Sequence, residues 1–167
     1  HKNFWLIDPI DGTKEYIKKK DEYTINAALI ANLKPAIGII YAPEKERLFY
    51  SYGPGSAFEI FNGKKSTLNC KKKTEIGKVF ALHNSHELTP DIIDIHKKNR
   101  VFNFIKVSSS LKFCLVAAGE ADLYAARARA YEWDIAAGHA IVEHAGGSVT
   151  TSSGKQILYG KAGYNNP

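Results

Sequence analysis

Three carboxylates are the residues of this chain best suited to collecting a divalent cation: Asp8 and Asp11 on either side of Pro9, and Asp134 directly after Trp133. The apolar run Phe4-Trp5-Leu6-Ile7 reads as a strand that ends where Pro9 forbids further pairing, which would put Asp8 and Asp11 on the loop leaving it. Asp11-Gly12 then turns the chain. Thr13-Lys14-Glu15-Tyr16-Ile17 can open a short helix whose free amides and positive dipole end face an anion. A cation and a phosphate would then lie side by side, as metal-assisted hydrolysis of a phosphate ester requires. A plainer reading covers each piece alone. Asp-Pro and Asp-Gly are frequent turn dipeptides, and Asp134, standing before a helical stretch over residues 135–145 that Gly146 and Gly147 close, would serve as its cap.

Positioning these residues takes two kinds of layer. Strand-like runs at 23–31, 35–42, 47–52 and 57–61 are joined by short polar or glycine-containing links, and Asn62-Gly63 is a hairpin signal before a further strand at 64–68. Connections this short favour an antiparallel meander. The organisation changes near residue 76. Strands at 78–83, 101–107 and 121–124 then alternate with helices at 90–98, entered through Thr89 and Pro90, at 109–118, closed by Gly119, and at 135–145. The expected architecture is α+β with an α/β part: a sheet-rich portion, 1–76, carrying Asp8 and Asp11, and a smaller layered α/β portion, 77–167, carrying Asp134.

Composition narrows the class. The chain has 167 residues, 44% of them apolar, enough for one good core or two small ones. No apolar stretch is long enough to span a bilayer, and His1-Lys2-Asn3-Phe4 is not a signal peptide. Cys70 and Cys114 lack CxxC or zinc-finger spacing and read as reduced thiols. The formal charge of +6 steers anions toward the molecule. Lys18-Lys19-Lys20 and Lys71-Lys72-Lys73 read as solvated loop faces, and no nucleic-acid reading motif accompanies them, so a small polyanion is the expected partner. His139 and His144 have neither zinc-protease spacing and read as ordinary helix residues; His83 and His86 lack a second ligand pair; Gly53-Pro54-Gly55 is a turn rather than a phosphate loop.

Taken together, Trp-Leu-Ile-Asp-Pro-Ile-Asp-Gly-Thr at 5–13, Trp-Asp-Ile-Ala-Ala-Gly-His-Ala at 133–140 and Glu-His-Ala-Gly-Gly at 143–147 resemble the two signatures of the inositol monophosphatase superfamily. Lys14-Glu15-Tyr16-Ile17 after the aspartates, Asn84-Ser85-His86, and Ser108-Ser109-Ser110-Leu111-Lys112-Phe113-Cys114 further resemble the bacterial 3'(2'),5'-bisphosphate nucleotidases of the CysQ type. The resemblance runs over essentially the whole chain. It implies an inositol monophosphatase-like fold and Mg²⁺, two or more ions, held by Asp8, Asp11, Asp134 and the Ile10 carbonyl. It also implies that the Gly12 and Thr13 amides hold phosphate, that the Thr13 hydroxyl orients the attacking water, and that His86, Ser109 and Lys112 contact a nucleotide. For Ser109 and Lys112 the plain alternative is a helix cap and an exposed lysine.

The implied reaction is hydrolysis of 3'-phosphoadenosine 5'-phosphate to AMP and phosphate in the cytoplasm, with relatives placed at the inner face of the cytoplasmic membrane. An inositol monophosphatase is the nearest alternative, and a non-catalytic nucleotide- or anion-binding fragment is an alternative of another class. One departure stands out: where relatives have an arginine two residues after the tyrosine of the 121–124 strand, this chain has Ala126, with Arg127 and Arg129 beyond it. The resemblance also places helices, a metal-binding glutamate and a water-activating acid upstream of His1, so that the chain reads as a fragment of a longer protein.

Overall fold

The computed structural model describes residues 3–70, 78–127 and 130–166. The expected change of organisation near residue 76, the Lys71–Lys73 run and Arg129 lie outside the described residues. Six strands, β1 (Asn3–Asp11), β2 (Thr24–Ala31), β3 (Lys34–Ala42), β4 (Arg47–Ser51), β5 (Ala57–Phe61) and β6 (Lys64–Thr67), form an antiparallel meander in chain order. The tight links behave as their residues dictate. Asn32 and Leu33, and again Asn62 and Gly63, take positive φ at both central positions, the conformation that joins twisted strands without splaying them. The five-residue helix α1 (Thr13–Ile17) lies between β1 and β2.

The second layer is a three-stranded parallel sheet, β7 (Val79–His83), β8 (Val101–Lys106) and β9 (Leu123–Tyr124), in the order β8-β7-β9, crossed over by α2 (Pro90–Lys98) and α3 (Leu111–Ala117). The last helix, α4 (Glu132–His144), packs on β2 and β3 of the large sheet and on α3. It is buried along most of its length, with Ala136, Ala137 and Ala140 at 0–2% exposure, as a helix set between layers must be. Its approach to β3 is so close that a Cβ on Gly38 would stand 2.3 Å from the Ala137 carbonyl oxygen. Ile30, Ile40 and Phe49 of the sheet share one buried cluster with Cys114, Ala117 and Ile141 of the helices. The opposite face of the sheet is also apolar yet open, with Trp5, Ile7, Ile25, Ile39 and Tyr41 all exposed.

Three sequence expectations need correction. The first strand does not stop before Pro9 but runs on to Asp11, because β1 is the edge of the sheet, where a residue without an N–H is tolerated. The last helix opens at Glu132 rather than Ile135, because Glu132 finds buried hydrogen-bond partners. The third helix begins at Leu111 with Ser110 at its N-cap, while Ser109 sits at φ 55° outside it.

Candidate metal centre

Residues three apart on a regular strand point to opposite faces. Asp8 and Asp11 escape this rule because β1 carries one extra residue relative to β2. Asp8 pairs with Asn26 and Asp11 with Thr24, so three steps along β1 match two along β2. This bulge, at Pro9 and Ile10, turns both carboxylates to the face that buries Thr24 and Asn26. The aspartates therefore sit in the strand, on either side of a bulge, not on a loop beyond it. The Asp8 carboxylate accepts the Ile10 N–H at 3.1 Å, which folds the bulge around it.

Asp134 reaches the same place from the first turn of α4. Its Oδ2 accepts the Tyr131 N–H at 2.6 Å, so it does cap the helix, but from inside the first turn rather than ahead of it. Capping leaves most of a carboxylate's lone pairs free. Carboxylate oxygens of Asp8, Asp11 and Asp134 all lie within 4.8 Å of one another. Gathering three acids here is unfavourable without a cation. Burial, with Asp134 adding repulsion, pushes the Asp8 carboxyl up to about 6. Burial, opposed by Lys112 and reinforced by Asp8 and Asp134, takes Asp11 to about 6 as well. Burial also raises Asp134. The Asp8 and Asp134 carboxyls stand close enough to perturb one another, a repulsion that a cation would relieve. Hard oxygen donors crowded in this way suit a divalent ion such as Mg²⁺.

The raised values fix a sign. A carboxyl whose folded pKa exceeds its unfolded one opposes folding when it ionises. Without metal, Asp8 and Asp11 therefore destabilise the chain as pH rises from about 4 through about 6. A bound divalent ion removes that penalty. At pH 7.5, Mg²⁺ at ten times its Kd is expected to stabilise the fold by about 1.4 kcal/mol, roughly 3–6 °C in melting temperature. At pH 5 the same addition should give a smaller rise. Thermal melts with and without Mg²⁺ at both pH values check this, and an equal response at the two would contradict it.

Around the carboxylates the structure assembles much of the remaining candidate set. Gly12, at φ 85°, precedes α1, and a Cβ there would meet the Glu22 carbonyl, Tyr23 and, at 3.3 Å, the Ser109 Cβ, so the Gly12-Thr13 turn abuts Ser109 directly. Thr13 stands exposed at the start of α1. Lys112 is buried, not the exposed lysine of the plain alternative. Its ammonium bonds the Ser109 carbonyl and lies 5.2 Å from the centre of the Tyr124 ring. Burial pulls it down to about 8, against the opposing charges of Asp11, Glu22 and Glu15.

His86 follows β7, Ser109 follows β8 and Arg127 follows β9, all at the carboxyl edge of the parallel sheet, where open α/β sheets bind ligands. His86 is exposed, and no hydrogen bond among the described residues ties it to the carboxylates. Arg127 grips Asp91 through Nε and Nη2, both near 3 Å. His83 accepts the Ser85 N–H and so holds the turn before His86. His139 is buried against Tyr159 and Glu143, and His144 against Ser51, so both serve packing, as ordinary helix residues would.

Sequence reasoning missed the supports behind this site. Ser110 links Thr24 at 2.8 Å and Asn26 at 2.7 Å in a buried chain that ties α3 to the β2 residues opposite Asp11 and Asp8. The Ser110 backbone N–H faces Asp11 and favours its ionised form against the effect of burial. Glu22 accepts the Ser108 N–H at 3.0 Å. A signal was present: Thr24 and Asn26 occupy the inward positions of a strand whose other inward residues, Ala28 and Ile30, are apolar.

Known proteins are similar to this chain over nearly its whole length. The family model described as the inositol monophosphatase family matches residues 1–166. The 3'(2'),5'-bisphosphate nucleotidase CysQ of Buchnera aphidicola is 37% identical over 157 residues, covering 94% of this chain and 58% of its own length. CysQ of Escherichia coli K12 is 36% identical, covering 93% of this chain and 62% of its own. The crystal structure of CysQ from Bacteroides thetaiotaomicron superposes with a TM-score of 0.87 at 34% identity, over 99% of this chain and 68% of that one. An IMPase from Thermotoga maritima gives 0.76 at 28% identity, over 99% and 63%. The chain thus spans about three fifths of the length of the curated relatives it matches. With its two signature segments folded into one carboxylate cluster, and with similarity extending from end to end, the chain belongs to the inositol monophosphatase family.

Proposed function

We propose that the protein containing this chain is a Mg²⁺-dependent phosphatase of the cytoplasm that hydrolyses 3'-phosphoadenosine 5'-phosphate to AMP and phosphate. The observation that carries the reading is the convergence of Asp8, Asp11 and Asp134 within 4.8 Å, beside a buried lysine and the Gly12-Thr13 turn. In this reading Asp8, Asp11, the Ile10 carbonyl and Asp134 would hold two or more Mg²⁺ ions. Bound there, such ions would supply water activation near neutral pH and charge neutralisation at the phosphate.

The chain's own residues supply the rest. The Gly12 and Thr13 amides bind phosphoryl oxygens, and the Thr13 hydroxyl accepts a hydrogen bond from the attacking water and so orients it. Lys112 offers its ammonium to the anion while its own neighbours keep it in place. Ser109, pressed against Gly12, and His86 contact the nucleotide. Preference for a bisphosphate over inositol phosphate is supported by the names of the nucleotidase relatives and by the cationic carboxyl edge. There Arg127 takes over from the arginine that Ala126 replaces, and a second phosphate would compete with Asp91 for its fork.

A substrate panel tests this with the protein carrying its natural upstream segment. The expected result is Mg²⁺-dependent phosphate release, with the bisphosphate nucleotide preferred over inositol phosphate. Arg127→Ala should raise KM for the bisphosphate about tenfold while changing stability by less than about 1 kcal/mol, since its pair with Asp91 is exposed. Release from inositol phosphate alone would move the substrate; nucleotide binding without any turnover would leave a binding role.

A further inference from the structure

Glu132 is a carboxylate with no exposure at all, in the first turn of α4 and two residues before Asp134. Charged groups are almost never buried so completely without a dedicated set of partners. Those of Glu132 all come from one irregular stretch near the end of the chain. Its oxygens accept the Gly160 N–H at 2.8 Å and the Lys161 N–H at 3.1 Å, and the Lys161 ammonium lies 2.8 Å away. The same stretch grips the residues on the other side of the cap. Asn166 donates its backbone and side-chain N–H to the Ala130 carbonyl, both at 3.2 Å, and Tyr131 bridges to Asn165. Tyr131 is the residue whose N–H Asp134 accepts. Trp133 lies between the Tyr131 ring, stacked at 4.6 Å, and the Tyr164 ring at 6.0 Å. Every residue from 130 to 133 is therefore held by the terminal stretch or by a neighbour that it holds.

We propose that Glu132 is a positioning residue for the metal centre: by clasping the backbone at 160–161 it fixes the first turn of α4, and with it the place of Asp134 opposite Asp8 and Asp11. The inference rests on the metal reading of those three carboxylates. A group that merely held the fold together would, when altered, lower the melting temperature and leave the affinity of the folded protein for metal unchanged. A positioning group alters affinity in protein that is fully folded, because supporting partners of this kind usually act through the ligand they orient.

The test titrates Mn²⁺ by electron paramagnetic resonance, well below each variant's melting temperature, in wild type, Glu132→Gln, Lys161→Met and an Asp11→Asn control. Glu132→Gln keeps the volume and one acceptor but turns an NH₂ toward a backbone N–H. It should weaken Mn²⁺ binding about tenfold, with circular dichroism unchanged, and should raise the Mg²⁺ concentration needed for half-maximal turnover while leaving KM for substrate at saturating Mg²⁺ near its wild-type value. Lys161→Met, which leaves both backbone bonds intact, should give a smaller loss of the same sign and decides the matter if Glu132→Gln does not fold. Wild-type Mn²⁺ affinity in whichever of these variants folds, with binding lost in Asp11→Asn, would overturn the positioning role alone. Wild-type affinity in Asp11→Asn would overturn the metal reading beneath it.

Discussion

Asp11→Asn is expected to lower Mg²⁺-dependent phosphate release by about a thousandfold or more, equivalent to roughly 4 kcal/mol of lost transition-state stabilisation, while leaving the metal-free protein close to wild type in stability. The two halves of this expectation have one cause. Asn is nearly isosteric with Asp and keeps an acceptor oxygen, so little packing is lost. What disappears is one negative charge from a cluster in which burial and repulsion hold the Asp8 and Asp11 carboxyls up near 6. Without metal that loss relieves repulsion from Asp8 and Asp134 but also takes a counter-charge from the buried Lys112, and the two effects offset; with metal it would remove a proposed ligand. Asp134→Asn makes the contrast sharper. Its amide oxygen keeps the cap on the Tyr131 N–H, so a residue that were only a cap would tolerate the change. Phosphate release measured beside metal-free melting curves separates the readings, and full turnover in both variants would end the case for a metal centre here.

The carboxylates were legible in the sequence because residue type and spacing announce them. Asp8, Asp11 and Asp134 recur in two recognisable strings, and the meander could be read from alternation and turn dipeptides. How the carboxylates converge was not legible. Pro9 reads as the end of a strand, although at a sheet edge it can sit in a bulge, and only the register of Asp8 on Asn26 and Asp11 on Thr24 reveals the extra residue that aligns the two aspartates. The supports were hidden for a related reason. Ser110 reaches Asn26 across 84 residues, and Glu132 reaches Gly160 across 28, distances over which local propensity carries no information. Lys112 illustrates the limit from the other side: a lysine is ordinarily assigned to the surface, yet here Ser109, Tyr124 and the charge of Asp11 provide for its burial.

The second large effect concerns the contact that sets α4 on the sheet. Gly38→Ala is expected to destabilise the chain by about 3 kcal/mol or more, beyond the ordinary cost of a core substitution, because the new methyl group has nowhere to go. It would meet the Ala137 carbonyl oxygen at 2.3 Å and the Ala140 Cβ at 2.9 Å, and a backbone oxygen cannot swing aside as a side chain can. The opposite flank of the helix offers no relief. A Cβ on Gly138 would stand 2.3 Å from the Phe113 Cγ, so α4 cannot retreat from β3 without driving into α3. Gly53→Ala supplies the control: nothing lies within 4 Å of its added methyl group, and the denaturation midpoint should stay close to wild type. Because Asp134 rides on α4 while Asp8 and Asp11 belong to the sheet, any shift the helix makes to admit the Gly38→Ala methyl group also separates the carboxylates. Folded Gly38→Ala protein should therefore bind Mn²⁺ more weakly, in addition to unfolding at lower denaturant. Wild-type stability in this variant would show that the layers can part at that point, and the close packing of α4 on β3 would then not be what holds the third carboxylate in place.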